Sequence, residues 1–109
     1  MAIEYVVQCP VYLASNDGRL GGFYGFLILD KEPFLYDFWV DPPFIGTGIG
    51  RTLWHHANGV ARAHDYAHFL IESDPNAEAF YIRMGARRIG ERVSPDSGRY
   101  LPLLRYDVD

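Results

Sequence analysis

The first 40 residues alternate between apolar runs and short polar breaks. Residues 5–14, 22–29 and 34–40 are rich in branched and aromatic side chains, which are typical of β-strands. The breaks at 15–18 and 30–33 contain Asn, Asp, Gly and Pro, the residues that form tight turns. This pattern predicts three strands joined as an antiparallel meander.

A helical period replaces the strand pattern after Pro42 and Pro43. From Gly48 onward, apolar residues recur three or four positions apart, as expected for one face of a helix. Residues 68–72 then form a short apolar run. A strand, a helix and a strand in succession predict a βαβ unit whose two strands lie parallel. The helical stripe contains Ile49, Leu53, Ala57 and Val60, with His64 in line with them.

The last third of the chain predicts a second, shorter helix and two further strands. Residues 77–84 form the helix, with Asn76 as its N-cap and Gly85 at its end. Residues 87–93 and 100–108 form the strands. No internal repeat or linker interrupts the chain, so we expect a single α+β domain.

Composition limits the classes of function that need to be considered. With 109 residues, 49% of them hydrophobic, the chain is expected to be one small domain over residues 1–109 with a buried core. The formal net charge is -4 and Lys31 is the only lysine, which argues against nucleic acid as a partner. Cys9 is the only cysteine, which excludes an internal disulfide and indicates a reducing, cytoplasmic setting. No signal sequence or membrane-length apolar run is present, so no membrane association is expected.

Four arginines, Arg83, Arg87, Arg88 and Arg92, lie in one short stretch. Two interpretations remain open: a solvated surface, or a face that meets an anionic ligand. Clustering in sequence does not establish a shared face, so the solvated surface is favoured.

The clearest chemical signal lies at the start of the first helix, where Gly46, Gly48 and Gly50 alternate with Thr47 and Ile49. Because three of the five positions lack a side chain, backbone N–H groups and the positive end of the helix dipole are accessible to a phosphate. A plain turn into a helix is the alternative. The stretch lacks the Gly-Lys-Ser/Thr ending of a P-loop and the glycine spacing of the dinucleotide fingerprint.

Residues 40–53, which include this loop, resemble the acyl-CoA-binding motif of the GNAT superfamily of N-acyltransferases. Residues 76–86 resemble the second signature of that family, with Asn76, an alanine, the aromatic pair Phe80 and Tyr81, and a closing glycine. Both stretches occur in the order and at the separation usual for the family. The resemblance implies a three-layer α+β fold, with a mixed, mostly antiparallel sheet of about six to seven strands, a central splay and two main helices.

The same resemblance implies acetyl-CoA as co-substrate and no metal. In the family, the strand before the glycine loop and the strand after the helix splay apart, and the pantetheine arm pairs with the exposed backbone. Here those strand segments are residues 38–40 and 70–72. The implied cofactor-binding residues are Phe38, Trp39, Val40, Ile45, Gly46, Thr47, Gly48, Ile49, Gly50, Arg51, Asn76 and Tyr81.

The catalytic roles that the resemblance implies begin with Tyr81, which matches the general acid that protonates the leaving thiolate of CoA. A backbone amide near Trp39 or Val40 would polarise the thioester carbonyl. Asp37 and Glu72 are candidates for the base that deprotonates the amine, acting through water. The alternatives are a packed aromatic ring for Tyr81 and ordinary solvent-facing carboxylates for the two acids.

Two other sets of residues carry less weight. The four histidines are not expected to bind a metal, because neighbours on a helix point apart and no acidic or cysteine ligand completes a set. The aromatic residues between Phe23 and Trp39 are expected to pack in a core rather than to stack on RNA bases. The histidines are His55, His56, His64 and His68.

The sequence departs from the family at two points. Ile45 stands where the motif usually carries glutamine or arginine, and Arg51 or Arg62 is a candidate replacement for that contact. The chain is also expected to begin at the second strand of the family, without the usual N-terminal strand and helices that help build the acceptor pocket. A homodimer partner or a separate protein would then complete the acceptor pocket, or the pocket would stay incomplete.

Two classes of function follow from the resemblance. The first is an acetyl-CoA-dependent N-acetyltransferase that acts on a primary amine of a small molecule or peptide. The second is a non-catalytic acyl-CoA-binding module or subunit that needs a partner to complete the acceptor site. The position of Tyr81 favours the enzyme.

Overall fold

The chain folds as a mixed β-sheet with two α-helices on it. The structure is a computed structural model that describes residues 2–6, 11–16, 19–94 and 97–108. A short 3-10 helix, Pro42–Phe44, precedes the first α-helix. The helices are α1, Ile49–Ala63, and α2, Glu78–Arg83. The seven strands within the described ranges are β1 Ala2–Val6, β2 Val11–Asn16, β3 Arg19–Leu29, β4 Glu32–Val40, β5 His68–Glu72, β6 Arg87–Val93 and β7 Tyr100–Asp107.

The strands lie in the order β1-β2-β3-β4-β5-β7-β6. Every neighbouring pair is antiparallel except β4 and β5, which are parallel and are connected through α1. The α+β class, the mostly antiparallel sheet and the parallel pair are confirmed. Neither α-helix in the described ranges has the length and apolar character needed to cross a membrane.

The N-terminal strand prediction was wrong in its bounds. Residues 5–14 were expected to form one strand, but residues 5–6 belong to β1 and residues 11–14 to β2, two antiparallel strands whose register pairs Val6 with Val11 and Ala2 with Ser15. Pro10, which has no N–H group for a ladder, was the sequence signal against one continuous strand. The sheet therefore has a strand ahead of the predicted meander. Residues 7–10, with Cys9, and the expected Asp17-Gly18 turn lie outside the described residues.

The hairpin between β3 and β4 is tighter than the four-residue break suggested. Asp30 and Lys31 both have positive φ values, 50° and 66°, as in the two-residue turns that match the twist of a hairpin. The strands therefore pair up to the turn, with Leu29 opposite Glu32 and Ile28 opposite Pro33.

The buried face of α1 differs from the predicted stripe at its C-terminal end. Ile49, Leu53 and Ala57 are buried as expected, but the stripe continues through Ala61. His64 is exposed because α1 ends at Ala63, so His64 no longer belongs to a helix face; its ring stacks on Tyr66. The buried set is completed by Trp54 and Asn58.

Trp54 is the centre of the core. Its ring contacts Phe69 of β5 and Tyr106 of β7 at centroid distances of 5.5 and 4.9 Å. It also contacts Phe80 and Tyr81 of α2, at 6.4 and 6.0 Å. Both helices therefore pack on the same face of the sheet, and we call the opposite side the reverse face.

A partly buried hydrogen bond joins α1 to the meander. Burial and the neighbouring Tyr12 raise the pKa of Tyr24, and burial lowers the pKa of His56. Both groups are therefore neutral near pH 7, and the Tyr24 hydroxyl and Nδ1 of His56 share a hydrogen bond of 2.5 Å. This bond satisfies two polar groups that would otherwise be costly to bury.

The start of α2 corrects the predicted cap. Asn76 is not the N-cap: the helix begins at Glu78 with Ala77 at the cap position, and no side chain caps it. The N–H of Asn76 instead donates to Oδ1 of Asp74 at 2.7 Å, so Asp74 forms a local turn that delays the helix. The predicted end is confirmed, since Ala86 N–H donates back to the Tyr81 carbonyl across Gly85.

Two glycine substitutions should change stability in opposite directions. A Cβ at Gly22 would lie 2.5 Å from the Trp39 carbonyl oxygen and 2.9 Å from Cδ1 of Leu53, where α1 rests on the sheet. Gly22→Ala should therefore lower the free energy of unfolding by about 1–3 kcal/mol. A Cβ at Gly59, in the interior of α1, meets nothing within 4 Å, so Gly59→Ala should raise it by about 0.5–1 kcal/mol.

Urea denaturation of the two variants and the parent protein measures both changes. A neutral Gly22→Ala would contradict the close approach of α1 to β3.

Candidate active site

The sheet opens between β4 and β5. Their ladder contains only two residue pairs in the described structure, Phe34 with Leu70 and Leu35 with Ile71. Glu72 is therefore the one residue of the predicted segment 70–72 that lies beyond this ladder. On β4, by contrast, all of residues 38–40 lie beyond it. The expected splay is present, and it begins later along β5 than predicted.

A bulge in β4 accompanies this opening. Going from Gly25 to Phe23, β3 advances by two residues, while its partner strand β4 advances by three, from Tyr36 to Trp39. The extra residue bends the strand and increases its twist. Because the bulge follows the last residue that pairs with β5, it directs the end of β4 away from that neighbour.

The glycine loop lies at the mouth of the opening. Gly46 and Gly48 have φ values of 85° and 93°, in the left-handed region that other residues rarely adopt. A Cβ at either position would meet nothing within 4 Å, so the space beside the loop is open. The backbone shape, rather than crowding within the protein, requires glycine here.

The first turn of α1 presents N–H groups without intrahelical acceptors. The N–H of Thr52 donates to the carbonyl of Gly48, so the amides of residues 49–51 precede the hydrogen-bond ladder. Gly48 is the N-cap and has no side chain to accept from them, and the first turn contains no acidic residue. These donors and the helix dipole suit a phosphate or diphosphate.

Loop, bulge and α2 surround one cleft of about 1060 Å³. It brings together most of the residues implied for cofactor binding. Ile49 is the exception, because its side chain is buried in the core although its amide faces the helix start. The lining residues are Phe38, Trp39, Val40, Ile45, Gly46, Thr47, Gly48, Gly50, Arg51, Asp74, Asn76, Ala77, Ala79, Phe80, Tyr81 and Arg83.

Tyr81 projects from α2 into an aromatic surrounding and is only 5% exposed. Its ring lies 5.9 Å from that of Phe38 and 6.0 Å from that of Trp54, measured between centroids. Burial, with a smaller contribution from the negative charge of Asp74, raises the pKa of Tyr81 above its ordinary value. The phenol is therefore protonated throughout the neutral range.

The two carboxylates expected to act as bases are placed differently. Glu72 does not line the cleft; its carboxylate pairs with the Arg92 guanidinium at 3.4 Å, and Arg92 lies over the ring of Phe34. The side chain of Asp37 is outside what the structure describes. Asp74 is the carboxylate that the described cleft contains.

The histidines have separate surroundings. His55 is exposed, His56 shares a hydrogen bond with Tyr24 and His64 stacks on Tyr66. His68 Nε2 lies 2.5 Å from a carboxylate oxygen of Glu32. Over the residues described, no group of three or more His, Cys, Asp or Glu side chains is arranged to hold a metal ion.

Phe80 lines the cleft although the sequence suggested no binding role for it, and Arg83 lines it although a solvated surface was the favoured interpretation of its cluster. A signal for both was present: Asn76, Ala79, Phe80 and Arg83 follow the spacing i, i+3, i+4, i+7 of one helix face. Continuing this helical spacing from Asn76 along the sequence would have identified Arg83 as a candidate binding residue. Asp74 also lines the cleft.

Comparison with known proteins agrees with this geometry. Residues 8–103 match the family model described as Acetyltransferase (GNAT) domain. Over 101 residues the chain is 27% identical to the peptidyl-lysine N-acetyltransferase YjaB of Escherichia coli (strain K12), a match that covers 93% of the chain. The chain spans 65% of the length of that relative.

Two solved structures illustrate the similarity of fold. The ribosomal-protein-S18-alanine N-acetyltransferase from Escherichia coli has a TM-score of 0.70 at 21% identity, covering 90% of this chain and 68% of that one. N-acetylglutamate synthase from Neisseria gonorrhoeae, complexed with coenzyme A and N-acetyl-glutamate, has a TM-score of 0.78 at 18% identity, covering 91% of this chain and 26% of that one. At these identities the likeness establishes the fold, while the family model covers most of the chain. The protein therefore belongs to the GNAT acetyltransferase family.

Proposed function

We propose that the protein is an acetyl-CoA-dependent N-acetyltransferase that transfers an acetyl group to a primary amine of a small molecule or peptide. The observation that carries this proposal is a single cleft with unbonded helix-start amides on one wall and the protonated phenol of Tyr81 on the other. The similarity to a peptidyl-lysine N-acetyltransferase supports an amine acceptor.

In this proposal the glycine loop holds the diphosphate of acetyl-CoA. The amides of residues 46–51 adjoin the space beside Gly46 and Gly48, which is open in the structure. The N–H of Ile45, the other amide implied for this contact, already donates to the Pro42 carbonyl at 3.2 Å. The pantetheine arm lies along β4 beyond Leu35, where the described strand has no β5 partner. Backbone N–H and C=O groups in that segment, from Phe38 to Val40, offer the arm a strand to pair with.

The chemical step is direct transfer. The lone pair of the neutral amine attacks the thioester carbonyl carbon, and the carbon–sulfur bond then breaks to release the CoA thiolate. The nitrogen, which is positively charged after the attack, loses one proton to the base or to the departing thiolate, which leaves the neutral amide. An amide near Trp39 or Val40 stabilises the developing oxyanion, and the Tyr81 hydroxyl donates toward the leaving sulfur. Because its pKa is raised, Tyr81 is a reliable donor but a weak acid. We therefore expect the hydrogen bond to the thiolate to contribute more than complete proton transfer.

The acceptor amine must lose a proton before it attacks. Asp37 and Glu72 remain candidate bases acting through water. The ion pair of Glu72 with Arg92, outside the cleft, weighs against Glu72. Asp74 lines the cleft and is exposed, so it would attract a cationic amine.

A second function, a non-catalytic acyl-CoA-binding module, shares the same cleft. It is favoured by the placement of Glu72, a candidate base, which pairs with Arg92 and does not line the cleft. With either function, we expect the protein to work in the reducing cytoplasm, which the single cysteine of the sequence supports.

The expected homodimer is supported by the reverse face of the sheet. Trp39 and Tyr36 are 40% and 48% exposed there, and Trp39 lies 5.3 Å from Phe23 between ring centroids. Neither described α-helix covers this face, since both pack around Trp54 on the other side. A second copy would remove these aromatic side chains from water.

Replacing Tyr81 by Phe should separate the enzyme from the binding module. We expect kcat for acetylation of a lysine-containing peptide or an amine panel to fall by about 100-fold, with the Kd for CoA unchanged by calorimetry. Tyr100→Phe is the matched control, because Tyr100 is 69% exposed and does not line the cleft. Wild-type protein that binds CoA but acetylates no acceptor would support the module instead.

Sedimentation velocity over a concentration series tests the homodimer. The parent protein should sediment as a dimer, and Tyr36→Glu should shift it to monomer, because a charge would be buried in the interface. Ile82→Glu on α2 is a control of similar exposure, 45%, on the opposite side of the molecule, and should remain dimeric. A parent protein that is monomeric throughout the series would refute the dimer.

A further inference from the structure

We propose that Arg51 and Arg83 form a phosphate clamp across the cleft, with Arg83 binding the 3′-phosphate of the adenosine in CoA. The inference rests on the proposed use of acetyl-CoA and adds a contact beyond the glycine loop. It assigns a function to Arg83, for which sequence clustering alone favoured a solvated surface.

The two arginines approach the cleft from different elements. Arg51 lies in the first turn of α1, beside the amides of the glycine loop, and Arg83 is the last residue of α2. Both line the cleft. Arg83 shares a face of α2 with Ala79 and Phe80, which also line the cleft, so this face is directed at the ligand space.

Their charges are not neutralised within the described structure. Arg51 and Arg83 have no carboxylate within ion-pair distance among the described residues, although Asp and Glu outnumber Lys and Arg by 14 to 10. The other members of the arginine cluster are paired. Arg87 binds Asp107 at 2.9 Å, Arg88 binds Glu91 at 2.6 Å, and Arg92 binds Glu72 at 3.4 Å.

The position of Arg51 is unfavourable unless an anion lies nearby. The N-terminus of a helix carries the positive end of the dipole, so a cation in the first turn is repelled. No acidic residue in that turn compensates, and the N-cap is glycine. A bound anion would relieve this accumulation of positive charge.

The chemistry of CoA divides its anionic groups between two sites. Its diphosphate diester suits the row of amides at the loop, with Arg51 adjacent. Its 3′-phosphate is a monoester that carries close to two negative charges near pH 7, and a guanidinium can bind two of its oxygens at once. Arg83, on the other wall, is the charged group available for it.

Ile45 increases the need for these contacts. It is an exposed apolar side chain, 68% accessible, in the loop where the family motif usually carries a polar residue. The loop itself therefore contributes amides but no charged side chain, and the two helices provide the guanidinium groups.

Calorimetric titration with CoA and with 3′-dephospho-CoA tests the inference without any turnover. The parent protein should bind CoA about tenfold or more tightly than dephospho-CoA, as expected for a charged hydrogen-bonded contact. Arg83→Ala should weaken CoA binding by about the same factor and leave dephospho-CoA binding unchanged, so the preference disappears. Arg83→Lys should retain part of the preference for CoA over dephospho-CoA. Arg51→Ala should weaken binding of both ligands.

Arg87→Ala is the matched control, since Arg87 is exposed, pairs with Asp107 and does not line the cleft; its preference for CoA should equal that of the parent. Equal affinity of the parent protein for the two ligands would overturn the clamp while leaving CoA binding intact. An unchanged preference in Arg83→Ala would also overturn it. Failure of both ligands to bind the parent protein would overturn the proposed function together with the clamp.

Discussion

One extra residue in β4 determines where a ligand can enter this sheet. A parallel pair of strands ordinarily continues as far as both strands run, but β4 and β5 pair at two positions and then part. The bulge between Tyr36 and Trp39 bends β4 at that point. Backbone groups that would be hidden in a ladder are left facing the cleft, and the loop and both helices are arranged around this opening.

The helices are held in place by packing rather than by capping. Gly48 offers no side chain to the start of α1, and no side chain caps α2. Trp54 compensates by contacting strands β4, β5 and β7 and the aromatic residues of α2. A cap at Gly48 would use the same N–H groups that a phosphate needs, so the uncapped start of α1 is consistent with a binding role.

Electrostatics distinguish the cleft from the rest of the surface. The protein is acidic overall, and arginines of β6 and β7 are engaged by carboxylates. The cleft instead combines Arg51 and Arg83 with a helix start, and Asp74 is the carboxylate among its described lining residues. The proposed polyanionic ligand would account for two guanidinium groups without carboxylate partners in the described structure beside the same helix start.

Several predictions from sequence depended on short-range rules and were confirmed for that reason. The glycine loop, the start of α1 and the glycine that ends α2 follow from backbone preferences of a few adjacent residues. One error arose where pairing between strands decides the outcome: the run at 5–14 has the composition of one strand, and only its pairing shows two. The other error was local, since the expected cap at Asn76 was lost to a turn made by Asp74, two residues earlier.

The sequence by itself determined the family, the order of most elements and the glycine loop at the start of α1, because each is encoded in local residue types and spacing. Tertiary structure decided which charged groups face the ligand. Glu72, Arg92, Asp74 and Arg83 are all polar residues near the second motif, but pairing across the sheet draws Glu72 and Arg92 together outside the cleft. Asp74 and Arg83 are directed into it by the turn and face of α2. Such a division depends on distances between strands and helices, which a linear pattern of residues does not specify.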